Sequence, residues 1–258
     1  MTPTEEGAQS SLQPGSESHA GRRQTLSEAA HSAATSLSHA AREAAVAPEP
    51  RWPAALALLA VGGLYTAVPR SLGIGFGPRW LLLAVVLLLL VPTMITFRMA
   101  RHQLNHLFGF VTLAVVTLAE VTSLGFLVWS LPRHLESPGN LLRSAVALWV
   151  TNVLVFALWY WRLDAGGPHE RDLVPGHTDG AFLFPQMAMD EETRVATGNR
   201  YWSPTFVDYL FLSFNHSTAL SPTDVAVLSR WAKMLTMVQA TVSLTTIALL
   251  AARAVNIL

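Results

Sequence analysis

Residues 80–97 read WLLLAVVLLLLVPTMITF, a run without a charge, closed by Arg79 on one side and Arg98 on the other. A helix needs about 20 apolar residues to cross roughly 30 Å of hydrocarbon. A charge at its centre costs about 2.5–3.5 kcal/mol on insertion scales. This run is therefore read as a membrane-spanning helix, and the same spacing of charges recurs along the chain. Arg51 and Arg70 bracket 52–69, Arg143 and Arg162 bracket 144–161, and Lys233 and Arg253 bracket 234–252. Arg101 and Arg133 bracket a longer stretch with one acid, Glu120. Five spanning helices are predicted, at about 53–69, 80–98, 108–131, 142–161 and 232–255. Trp52, Trp80, Trp129, Trp159, Trp161 and Trp231 fall near the ends of these runs, where an amphipathic ring prefers the headgroup region.

Composition points the same way. Of 258 residues, 51% are hydrophobic and 13% charged, against roughly 25% charged in an average soluble domain. Seventeen basic and seventeen acidic residues cancel. These values exclude an ordinary soluble enzyme and a disordered chain. They also exclude a nucleic-acid partner, which needs a basic footprint, because the whole chain holds one lysine, Lys233. The absence of cysteine excludes disulfides, thiolate metal sites and iron–sulfur clusters. The expected class is an all-α integral membrane protein of the cell (plasma or inner) membrane, with the lipid bilayer as partner and neither cofactor nor metal.

Domain organisation follows from shifts in composition. Residues 1–50 are rich in Ser, Ala, Gly and Glu and lack aromatics, too little apolar surface to offset chain entropy. Disorder is expected over 1–24 and a weak Ala-rich surface helix over 25–46. No apolar core occurs in this tail, so no secretory signal peptide is expected. Residues 51–161 form a four-helix transmembrane region. Residues 162–202, with GGP, HERD and DEE, form a polar extramembrane loop. Residues 203–258 hold one more short segment and the last helix. The arginines flanking the helices divide five against five, so the positive-inside rule does not choose an orientation.

The short segment, 203–223, reads SPTFVDYLFLSFNHSTALSPT. Its first half is too apolar for a free loop. Its second half, with Asn215, His216, Ser217, Thr218, Ser221 and Thr223, is too polar to span. A short helix that enters the membrane and turns back accounts for both halves, since irregular backbone at that depth needs protein or water around it. The order of short helix, polar turn, acid and spanning helix resembles the pore module of tetrameric potassium-type cation channels, whose pattern is S-F-x-x-x-T-T-V-G-Y-G-D. Ser213, Phe214, Thr218 and Asp224 fall on matching positions without a gap. Ser221-Pro222-Thr223 replaces the glycine-bearing filter, and Pro222 holds φ near −65°, so potassium selectivity does not carry over. The resemblance implies a homotetramer around the last two spanning helices. Residues 205–258 also resemble an uncharacterised group of bacterial multi-pass membrane proteins, in the wording DYLFLSF, TALSPTD, LSRWAK and ARAVNIL. That likeness implies no activity.

Several residues are candidates for function, each with a structural alternative. Glu120 is an intramembrane acid, a functional group by default, or a neutral group that holds helices together. Thr236, Gln239, Ser243 and Thr246 share one face of the last helix, as pore liners or as interhelical hydrogen-bonders. Asp224 guards a cation mouth or caps the last helix. His102 and His106 stand one helical turn apart, as metal ligands or interfacial anchors. His169, Glu170, Asp172, His177 and Asp179 crowd the long loop, as a hydrolytic metal site or a solvated surface. His216 is a gate or a hydrogen-bonded structural histidine. Gly73, Gly75 and Gly77 lack the flanking strand of a dinucleotide fold and are read as a turn.

The leading expectation is a passive pore for a small cation or solute. Thr218, Ser221, Thr223, Asp224, Gln239 and Ser243 would line it, and Glu120 would tune it. One alternative is a non-conducting structural or partner-binding membrane subunit. The other is a membrane enzyme that uses the loop histidines and acids.

Overall fold

The computed structural model describes residues 49–69, 78–99, 101–130, 137–173, 180–199, 202–218 and 224–255, with side chains as far as Ala252. The expected tail disorder, the helix over 25–46, the turn at Gly73–Gly77 and residues His177, Asp179, Ser221 and Thr223 lie outside them.

The described chain is helical, apart from one two-residue ladder. The long helices are α1 (Trp52–Tyr65), α2 (Leu81–Arg98), α3 (His102–Ser130) and α4 (Pro138–Leu163). Four short elements follow: α5 (Pro168–Leu173), β1 (Phe182–Leu183), α6 (Pro185–Ala188) and α7 (Glu191–Ala196). The chain continues through α8 (Phe206–Thr218), β2 (Ala226–Val227) and α9 (Arg230–Val255). Four helices are long and apolar enough to cross a membrane: α2, α3, α4 with the turn after it, and α9. The first predicted span is shorter than expected. It ends at Tyr65, where Thr66 and Ala67 turn back on the carbonyls of Gly63 and Leu64. The third starts earlier than expected, at His102, because polar His102, Asn105 and His106 continue the helix beyond its apolar part.

The order of packing explains why α4 is central. Two-thirds of its apolar window is buried, against 17% for α2. It packs against α1 and α3 on one side and α8 and α9 on the other. α2 packs on both α1 and α3, and its Leu87, Leu88, Val91 and Ile95 stay exposed. Local chemistry sets α4's limits. Ser137 accepts from Asn140 N–H at 3.3 Å and Pro138 takes the first helical position, where its missing N–H is not needed. At the other end Ala165, Gly166 and Gly167 all carry positive φ and reverse the chain. A Cβ on Gly167 would lie 2.8 Å from the Arg162 carbonyl.

The loop after α4 is not a free surface loop. Phe182 pairs with Val227 and Leu183 with Ala226 in an antiparallel ladder, which fastens the loop beside the start of α9. Asp164 is fully buried. Its carboxylate accepts from Ala181 N–H and, at 2.6 Å, from the Tyr209 hydroxyl of α8.

A second knot reaches the end of the predicted tail. Glu49 accepts from the Trp161 indole and from Phe206 N–H, both at 2.7 Å, and pairs with Arg171 at 3.2 Å and Arg51 at 3.3 Å. Arg51 also pairs with Asp172, and Arg171 donates to the carbonyls of Trp161 and Asp164. Burial pushes the Glu49 carboxyl above its usual range, against the downward pull of Arg171, the Trp161 indole and Arg51. Three stretches distant in sequence, 49–51, 161–171 and the start of α8, thus meet on one carboxylate.

Candidate functional site

Of the residues that carry the resemblance, Ser213 alone enters a buried polar centre among α4, α8 and α9, where it meets Gln239 of the predicted lining, with Ser243 one turn further along α9. Gln239 of α9 has no exposed surface. Its Nε2 donates to Ser213 O at 2.8 Å and to Ser213 Oγ and Ser217 Oγ at 2.7 Å. Its Oε1 accepts from the Tyr160 hydroxyl of α4. Ser213 Oγ donates in turn to Val153 O at 2.7 Å. One turn along α9, Ser243 accepts from the Trp149 indole at 3.0 Å and donates to Ser217 O. Asn152 reaches Ser217 Oγ and Gln239 O at 3.4 Å. The side chains of α8 that face inward therefore hydrogen-bond to the neighbouring helices of the same chain. Ser213 and Ser217 are small enough to let α8 approach both.

The predicted stripe of α9 is present as a face. Thr236, Gln239, Ser243 and Thr246 are all buried, and the face is turned into the molecule. The opposite side carries Met234, Met237, Val238 and Leu244, all exposed. Thr218, the last residue of α8, is half-buried and donates to Asn215 O of its own helix at 3.1 Å. Asp224 is exposed. It does not cap α9, the structural alternative considered for it, because that helix begins only at Arg230, with Ser229 Oγ accepting from Ala232 N–H at 3.3 Å. His216 is half-buried, and its Nδ1 lies 2.9 Å from Leu212 O.

Glu120 stands apart from this centre. It is 2% exposed in the middle of α3, and neither carboxylate oxygen has a hydrogen-bond partner among the described residues. Tyr65 of α1, whose hydroxyl donates to Ser123 Oγ at 3.0 Å, faces the same part of α3.

The histidines of α3 and the loop form a third group. His102 and His169 stack with ring centroids 3.6 Å apart and planes within 9°. Beside them lie His106 and Arg162, lining a pocket among α1, α2, α3 and α4. Among the described residues no three His, Asp or Glu side chains are grouped to hold a metal ion. Asp172, one of the loop candidates, is held by Arg51 and by Glu49 N–H. The sequence reading missed Arg162, Glu49 and Arg171. Arg162 appeared there only as the bracket of a span, and residue type alone does not show that a flanking arginine is buried.

No family model, curated protein or solved structure matches this chain.

Proposed function

We propose that this chain is a five-span, multi-pass protein of the cell membrane that acts as a non-conducting structural or partner-binding subunit. Its pore-helix-like segment serves as packing core. In this reading α1 is the fifth span. Its 14 residues cover roughly 21 Å at about 1.5 Å per residue, and the turn to Pro69 supplies the rest.

One observation carries the proposal. Gln239 and Ser243, the polar groups that a pore would need on its axis, make their hydrogen bonds inside a single chain. The face of α9 left for neighbouring copies is mainly apolar. A water-filled path beside Met234, Met237 and Leu244 has few groups to replace an ion's hydration shell.

The order of elements favours a second function, the tetrameric pore. A 13-residue helix precedes Asp224 and a 26-residue last helix, and Ser221 and Thr223 would then have to supply the constriction.

Liposome flux measurements together with native mass spectrometry separate the two. The subunit predicts no leak above empty liposomes and no homotetramer. Four copies per particle, with a cation flux abolished by Thr218→Trp, would overturn it.

A further inference from the structure

The pocket at the α1–α4 mouth has a feature that nothing in the helical packing requires: a buried arginine without a counter-charge. Arg162 is 8% exposed. Its Nη2 donates to the carbonyls of Asn105 and His106, and its Nε has no partner among the described residues. Among the described residues no carboxylate pairs with it, whereas Arg51 and Arg171 are both paired. An uncompensated buried charge is costly, and a guanidinium presents a planar fork that suits phosphate or carboxylate oxygens. The fold nevertheless makes room for this group. It lies directly on the backbone of Gly109, where a Cβ would come 1.9 Å from Cζ, and over the Phe110 ring at 5.5 Å.

The N-termini of α1 and α3 and the C-termini of α2 and α4 all end at this mouth, so the helix dipoles largely offset one another and the attraction for an anion comes from the Arg162 guanidinium. The stacked His102 and His169 and the amide of Asn105 complete a polar rim. Glu170, next to His169 in the chain, is exposed. The cavity measures about 80 Å³, where one water needs about 10–15 Å³ on the same measure, so it accommodates a group of several heavy atoms.

Below the rim the lining changes character. Leu58, Leu90, Met94, Leu113 and Leu158 extend the pocket toward the middle of the helices. Leu90 lies eight residues before Arg98 in α2, roughly 12 Å deeper at about 1.5 Å per residue. Met94, which lines this limb, is exposed, so a bilayer around α2 would have access to the limb there. A free phosphate would use the rim alone, whereas a lipid uses both parts.

We propose that this pocket binds an anionic amphiphile, its phosphate-type head on Arg162 and an acyl chain in the limb lined by Leu58, Leu90 and Met94. The site is independent of whether the chain conducts.

Native mass spectrometry of the full chain in mild detergent tests this with phosphatidylglycerol, phosphatidylcholine and inorganic phosphate as separate probes. Wild type retains phosphatidylglycerol at least tenfold better than phosphatidylcholine. Arg162→Gln loses that preference, and Arg143→Gln, a change of an exposed arginine, keeps it. Leu58→Trp fills the limb with Arg162 in place and weakens phosphatidylglycerol binding at least tenfold. It decides the matter if Arg162→Gln does not fold. Equal retention of the two lipids by wild type, or undiminished preference in Arg162→Gln, would overturn the proposal. So would inorganic phosphate binding without either lipid, which would make the occupant a free anion.

Discussion

Replacing Gln239 by leucine distinguishes a packing centre from a pore lining. Leucine nearly preserves the volume, so the change removes hydrogen bonds with little cavity. The two Nε2–H groups are shared among Ser213 O, Ser213 Oγ and Ser217 Oγ, and Oε1 accepts from Tyr160. Three bonds are therefore lost. Interhelical hydrogen bonds in membrane proteins average about 0.6 kcal/mol each and reach about 1.7, which gives a loss of about 2 kcal/mol and at most about 5. The measurement is equilibrium unfolding in mixed micelles, followed by tryptophan fluorescence. A cycle with Tyr160→Phe isolates one bond, with an expected coupling of about 0.6–1.7 kcal/mol. Stability of Gln239→Leu within about 0.5 kcal/mol of wild type, as for an uninvolved surface position, would refute the packing role. A changed cation flux at unchanged stability would do so more directly.

The remaining expectations concern other parts of the molecule. Glu49→Ala leaves Arg171, the Trp161 indole and Phe206 N–H without their shared acceptor and should cost about 3 kcal/mol, with Glu49→Gln recovering part of it in the same unfolding assay. Glu120→Leu removes a buried carboxyl that has no partner among the described residues, and a rise in melting temperature is expected, since an unsatisfied buried polar group costs about 1–3 kcal/mol; a fall would show that the acid is needed for packing. Asp190 caps α7 by accepting from Thr193 N–H at 2.7 Å, and that bond holds its carboxyl below the usual carboxylate range. Its contribution is present above the ordinary value and disappears as pH falls through the depressed one, so the protection of the Thr193 amide against hydrogen exchange, relative to its intrinsic rate at each pH, should be lost in strong acid, and Asp190→Ala should lack that protection at neutral pH as well.

The helical class and the long spans were legible in the residue order because one strong term governs them. A charge in hydrocarbon is so costly that arginines bound the apolar runs, and the predicted 80–98 corresponds to Leu81–Arg98. Ends set by weaker terms were less legible. α3 extends back to His102 because helix hydrogen bonds continue after apolarity stops. α1 stops at Tyr65, where local turns compete with one more helical turn. The stripe of α9 was legible as a face, since 3.6 residues per turn fix which side chains share a side. Whether that face meets water, another copy or the same chain is not encoded in the period. The α8 serines and Tyr160 answer it here.

What the residue order alone determined about this protein is where apolar length meets a charge, because transfer into hydrocarbon is a property of each segment by itself. Tertiary structure decided everything that depends on partners. Glu49 is bound to Trp161, Arg171 and Phe206 across more than a hundred residues, and among the described residues Arg162 is left without a carboxylate although Arg51 and Arg171 have one. Gln239 lies at the centre of a network rather than on a surface. Each of these is a pairing between groups far apart in the chain, and their hydrogen bonds and charges acquire meaning only when packing brings them within about 3 Å of one another.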